Sequence, residues 1–303
     1  MATNSILLIV ISSLFHSVWN ILTQTSNNSQ CFSGLKGIWI IFLAVIYFLF
    51  NGFPLHIGYE LFAWALISGF LHGLYILSLS RAYSTEDISY VYPIARSAPV
   101  FVPLFAWLFL GERISVLIIL AVLVIVSAMY ILHFDEKLFQ GLKKMIMAVR
   151  HNDMRWAFIT LALVVSYSLV DKQAMDIFLL SFPEYPITNG VTFFFLEAII
   201  GFTICNFYIL NRFSREEILK NWRLDCGKCF LAAIATTLSY GLICVVLQFE
   251  KLSAIVSLRQ ISVLMVVYWG CWKLNEPYGR KRILAGLLVA IGVLLISIDE
   301  NGL

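Results

Sequence analysis

The chain has 303 residues, of which 60% are hydrophobic and 13% charged, with a formal net charge of +3. Soluble domains are about half apolar and about a quarter charged, so a water-soluble globule is excluded, and the expected class is an all-α polytopic membrane protein. Lys and Arg gather in a few loops between apolar runs, which argues against a nucleic-acid partner.

A bilayer core about 30 Å thick takes about 20 apolar residues per helix. Runs of that kind occur at Ser5–Leu22, Leu35–Phe50, Leu61–Ser80, Ile88–Leu110, Ile114–Leu132, Trp156–Leu180, Ile187–Leu210, Phe230–Phe249, Ala254–Leu274 and Ile283–Ile298. The first has no basic residue ahead of it, so it is expected to be a span and not a cleaved signal peptide. The polar stretch 133–155 is the expected cytoplasmic linker between a first five-helix unit, 1–132, and a second, 156–303. Each unit carries an Arg in its fourth span and closes that span on a Glu: Arg96 to Glu112, and Arg259 to Glu276. Five spans is an odd number, so the second copy inserts upside down, the inverted-repeat plan of many secondary transporters.

Loops after odd-numbered spans hold 16 of the 21 Lys and Arg, counting Lys36 with the first loop. The positive-inside rule then makes those loops cytoplasmic and both termini extracytoplasmic. Compact loops and the lack of a presequence point to a bacterial inner (plasma) membrane.

Ionisable and polar residues inside spans are functional candidates because hydrocarbon disfavours them by several kcal/mol. In the first span Ser12, His16, Trp19, Asn20 and Thr23 recur at helical spacing. That stripe either lines a cavity or packs helices. Ser68, His72 and Tyr75 form a similar stripe in the third span, and Thr237, Tyr240, Gly241 and Cys244 another in the eighth. Arg96, one turn beyond Tyr92, either binds a substrate carboxylate or phosphate or pairs with Glu197 or Asp171. Arg259 either binds substrate or reaches the headgroups, with Gln260 as a hydrogen-bonding neighbour. Glu197 and His16 are candidates for proton coupling; for Glu197 a structural salt bridge to an Arg is the alternative. Asp171 shares a face with Tyr167, while the next residue, Lys172, points elsewhere. Trp19, Tyr75, Tyr92, Tyr167 and Tyr240 form either an aromatic box or ordinary packing. Cys226 and Cys229 make a C-x2-C pair without a second, a weak zinc pattern, so no metal or other cofactor is expected. No ATP-binding loop or catalytic motif appears.

The motifs His16-Ser17-Val18-Trp19-Asn20, Ser89 to Arg96 leading to Leu110-Gly111-Glu112-Arg113, and Leu258 to Ser262 leading to Leu274-Asn275-Glu276-Pro277 resemble the ten-helix, EamA-type branch of the drug/metabolite transporter superfamily. Asn275-Glu276-Pro277 departs from the family's usual Gly-Glu-Arg. The resemblance implies a solute transporter with a cavity walled by spans one, three, four, six, eight and nine, and with spans five and ten peripheral. It also implies cytoplasmic termini for many members, against the charge count. The expected substrate is an amino acid, organic anion or similar metabolite, moved by alternating access in a monomer or homodimer, either with protons as the coupling ion or by facilitated exchange. The alternative is an intramembrane enzyme or flippase acting on a lipid or lipid-linked substrate.

Overall fold

A computed structural model describes residues 1–52, 57–85, 97–133 and 155–262, together with 284–289, 291–292, 295 and 298. Among these residues the regular structure is helical throughout, which makes the chain an all-α polytopic membrane protein. The described helices are α1 (Thr3–Gln24), α2 (Ser29–Asn51), α3 (Gly58–Thr85), α4 (Ala98–Leu110), α5 (Val116–His133), α6 (Arg155–Ser181), α7 (Pro186–Arg212), α8 (Arg215–Leu247) and α9 (Leu252–Leu258). Six of them, α1 to α3 and α6 to α8, are long and apolar enough to cross a bilayer. The fourth, ninth and tenth predicted spans lie only partly within the described residues.

The helix starts follow from local chemistry. Asn28 Oδ1 accepts from the amides of Gln30 and Cys31 and starts α2. Ser214 and Glu217 form a reciprocal capping box that starts α8. Pro99 stands in the first turn of α4, where its missing amide costs nothing. Gly111 ends that helix in the left-handed conformation, φ 68°. The next residue, Glu112, accepts from the Leu252 and Ser253 amides at 2.6 and 3.2 Å, placing a carboxylate at the N-terminus of α9. The Gly-Glu motif of the fourth span thus ties it to the ninth.

Packing is interleaved between the two halves. α1 lies along α8, α3 along α6 and α7, and α2 against α7 and α8. α3 approaches α7 closely, because Gly69 and Gly73 on α3 face Gly201 on α7. A Cβ at Gly69 would stand 2.6 Å from the Glu197 carbonyl oxygen, and one at Gly201 2.9 Å from the Gly69 carbonyl oxygen. Small residues let backbones approach where no hydrophobic effect drives helices together. That approach sets Glu197 against the Ser68 face of α3.

One correction concerns Lys36. Because Asn28 starts α2 early, Lys36 lies seven residues past its first residue, about 10 Å along the helix. It is buried, at 3% exposure, and does not belong to the first loop.

Candidate functional site

The middle of the bundle holds a cavity of about 70 Å³, with His16, Lys36, His72, Tyr167, Glu197 and Arg259 among its walls. A second cavity of similar size shares His16, Tyr75, Tyr167 and Arg259 with it, and is also lined by Gln260.

On one side of the central cavity is an acidic cluster built from α3, α6, α7 and α8. Asp171 is fully buried and Glu197 is 2% exposed. The Ser68 hydroxyl oxygen lies 2.5 Å from Asp171 Oδ1 and 2.5 Å from Glu197 Oε2. The Tyr240 hydroxyl donates to Asp171 Oδ2. His72 Nδ1 sits 3.1 Å from the Ser68 carbonyl oxygen and 3.2 Å from Glu197 Oε2. Its Nε2 is 3.9 Å from Asp171 Oδ2 and makes no hydrogen bond. The His72 ring stacks on Tyr167 at 3.9 Å, with the Tyr240 and Tyr75 rings edge-on to it.

The count of hydrogens in this cluster carries the chemistry. Ser68 offers one hydroxyl hydrogen to two carboxyl oxygens, so one of the two close contacts is served by a hydrogen on a carboxyl group. Its hydroxyl then accepts from one acid and donates to the other. The salt bridge from an Arg considered for Glu197 is not what the described residues show: its partners there are Ser68 and His72, onto which the α3–α7 glycine contact presses it.

On the other side is a cationic region from α1, α2 and the turn after α9. An Arg259 guanidinium nitrogen lies 3.3 Å from His16 Nδ1, and its Cζ lies 5.3 Å from the Tyr240 ring centroid. The His16 and Trp19 rings meet edge-on at 5.0 Å. Lys36 Nζ stands 4.2 Å from the Trp19 ring centroid. The Arg259 side chain therefore faces the cavity and does not reach toward headgroups.

Of the predicted residues, the structure brings together His16, Trp19, His72, Tyr75, Tyr167, Asp171, Glu197, Tyr240 and Arg259 around these walls. Asn20 lines a smaller cavity beside Lys36, its amide bound to its own helix at His16. Tyr92 and Arg96 lie outside the described residues. The first-span stripe divides: Ser12 donates to the Ser239 carbonyl of α8, so it joins helices, while His16 and Trp19 face the cavity. Lys172 points away from Asp171, donating to Asp176 at 2.6 Å and to the Leu247 carbonyl at 2.9 Å.

The implied set of cavity-lining spans needs one extension. Spans two and seven also line it, through Lys36 and Glu197, because the α2–α7 and α3–α7 contacts push both helices inward. The signal that marks them in the sequence is the Gly69-x3-Gly73 pair together with Gly201, a close-packing pattern. A larger cleft of about 810 Å³ between α3, α4 and α6 is lined almost wholly by apolar side chains, such as Phe101, Phe105, Phe158 and Leu161, with no ionisable residue on its walls among the described residues.

Residues 3–134 match the model of the EamA-like transporter family. None of the curated proteins matches the sequence. Among solved structures, a crystal structure described only as that of a protein is 10% identical and has a TM-score of 0.72, with 99% of each chain covered. That likeness establishes the shared fold.

Proposed function

We propose that this integral multi-pass membrane protein, whose residues 3–134 match the EamA-like transporter family, is a secondary transporter for a small organic solute, an amino acid, organic anion or similar metabolite, working by alternating access with protons as the coupling ion. The observation that carries this reading is the Asp171–Ser68–Glu197 cluster, a buried acid pair with a hydrogen to share, in the wall of the same cavity that Arg259 enters. A carboxyl that gains or loses its hydrogen as the cavity opens to either side couples proton movement to solute movement. Two further features support it. At about 70 Å³ the central cavity is well below the roughly 300–1,000 Å³ of small-molecule sites, so loading requires its walls to part. The packing of α1 on α8 answers that of α3 on α6, the exchange expected of two inverted five-helix units, 1–132 and 156–303, joined by a cytoplasmic linker.

For orientation, the α1–α2 turn, Arg81 at the end of α3 and Arg212 at the end of α7 border one vestibule, so the ends of three odd-numbered spans share a face, two of them with an arginine there. We take that face as cytoplasmic, with the protein in a bacterial inner membrane and its termini outside.

The test is uptake into proteoliposomes of radiolabelled amino acids and organic acids, with and without an imposed pH gradient, for the wild type and Glu197→Gln. The reading expects gradient-driven accumulation by the wild type, and only downhill flux or none by the variant. Accumulation by both, or equal flux with and without the gradient, contradicts it. The 810 Å³ apolar cleft is the one observation that favours a lipid substrate instead. Translocation of a fluorescent lipid that survives Glu197→Gln, with no solute uptake, would be its mark.

A further inference from the structure

Lys36 is a buried cation that no carboxylate of the described residues neutralises: their ion pairs leave it out, and its ammonium group rests against the Trp19 ring at 4.2 Å and the Phe202 ring at 5.6 Å. Its burial among α1, α2 and α7, with 3% exposure, rules out an ammonium that reaches the membrane surface. Charge in that position is unfavourable unless something answers it, and an aromatic face answers only part.

Three cavities in a row give it a role. A polar vestibule of about 520 Å³ lies at the α1–α2 turn, with Arg81 and Arg212 on its walls and no acidic residue there among the described residues. It shares Gln24 and Ser29 with a narrow space of about 30 Å³, in which Lys36 is the charged residue among hydroxyl and amide groups. That space shares Trp19 and Lys36 with the central cavity, where Arg259 stands on the far side of the Trp19–His16 ring pair. Positive charge thus marks every stage from the vestibule to the middle of the bundle, and the acid pair, of which Glu197 also lines the central cavity, is engaged with Ser68, His72 and Tyr240. Such a field draws an anion inward and repels a cation.

We propose that Lys36 is the anion-binding residue of the permeation path: it takes the carboxylate of the solute between the vestibule and the central cavity and passes it on to Arg259. The assignment rests on the transporter reading above and narrows its substrate class to solutes with an anionic group. An amino acid meets it through its carboxylate, whereas a simple amine does not.

Thermal stabilisation of the detergent-purified protein tests it, with succinate, L-aspartate and benzoate as probes and their carboxamides as neutral controls. At least one carboxylate is expected to stabilise the wild type and its carboxamide not to. Lys36→Gln should raise the half-maximal concentration of that carboxylate by about tenfold or more, the factor for losing one charge-assisted hydrogen bond, while Lys36→Arg retains it. The variant itself should stay folded, since it removes an unpaired buried charge. Stabilisation by a carboxylate that survives Lys36→Gln, equal stabilisation by the carboxamides, or no stabilisation of the wild type by any carboxylate would overturn the assignment. Uptake of solutes into proteoliposomes separates the two readings. Uptake without Lys36-dependent binding sinks the Lys36 assignment alone, and Lys36-dependent binding without uptake of any solute sinks the transporter reading alone.

Discussion

The two walls of the central cavity solve opposite problems. On the α3–α6–α7 wall, Asp171 and Glu197 are buried together, yet each has its partners within the protein: a shared serine hydroxyl, a tyrosine hydroxyl and a histidine. On the α1–α2–α9 wall, Lys36 and Arg259 are held by aromatic faces and one imidazole, with no carboxylate in contact among the described residues. The acidic wall is arranged to keep a hydrogen and the cationic wall to receive something negative. Their difference teaches that, among the described residues, the acids and the cations that line the cavity are not mutual counter-ions, as a structural ion-pair network would make them.

The harshest way to break this comparison is to separate α3 from α7. Gly201→Val places a Cβ against the Gly69 carbonyl oxygen, where backbone cannot yield, and removes Glu197 from Ser68. Overpacking costs about 1–3 kcal/mol or more, so yield of monodisperse protein and thermal midpoint should both fall, with uptake lost. Next in size, Ser68→Ala leaves two buried carboxyls without their common partner, a change of about 1–3 kcal/mol. Gradient-driven uptake should fall by about tenfold or more while Ser68→Thr retains most of it; unchanged uptake in Ser68→Ala would erase the special character of the acidic wall. On the opposite wall, Arg259→Gln should raise the half-saturating concentration of an anionic solute by about tenfold, with little change for a neutral one. The mildest is Tyr240→Phe, which deletes one of two hydroxyl partners of Asp171 and should cost about 1 kcal/mol, a factor of about five in uptake.

As a contrast outside the cavity, Glu112→Gln weakens the charge at the start of α9. It should lower the thermal midpoint by the equivalent of about 0.5–1 kcal/mol and leave solute affinity unchanged.

Much of this was legible in the sequence, for identifiable reasons. Charges are so disfavoured in hydrocarbon that Asp171, Glu197 and Arg259 stand out in apolar runs, and helical spacing puts His16 near Trp19 and Ser68 near His72. Which charges meet was not legible, because it depends on the interhelical approach. Gly69, Gly73 and Gly201 decide that Glu197 meets Ser68 and His72. Lys36 escaped for a different reason: placed near a helix start, it reads as a loop residue until Asn28 is seen to start α2 two turns earlier. Within the first-span stripe, spacing alone could not tell Ser12, which bonds α8, from His16, which faces the cavity.

The most direct test of the account is infrared spectroscopy of the purified protein at neutral pH, compared with the Asp171→Asn/Glu197→Gln double variant. The account predicts a carbonyl stretching band of a protonated carboxylic acid in the wild type that is missing from the variant and shifts in deuterium oxide. A wild-type spectrum in which every carboxyl group is ionised would contradict the shared hydrogen, and with it the proposed coupling of protons to transport.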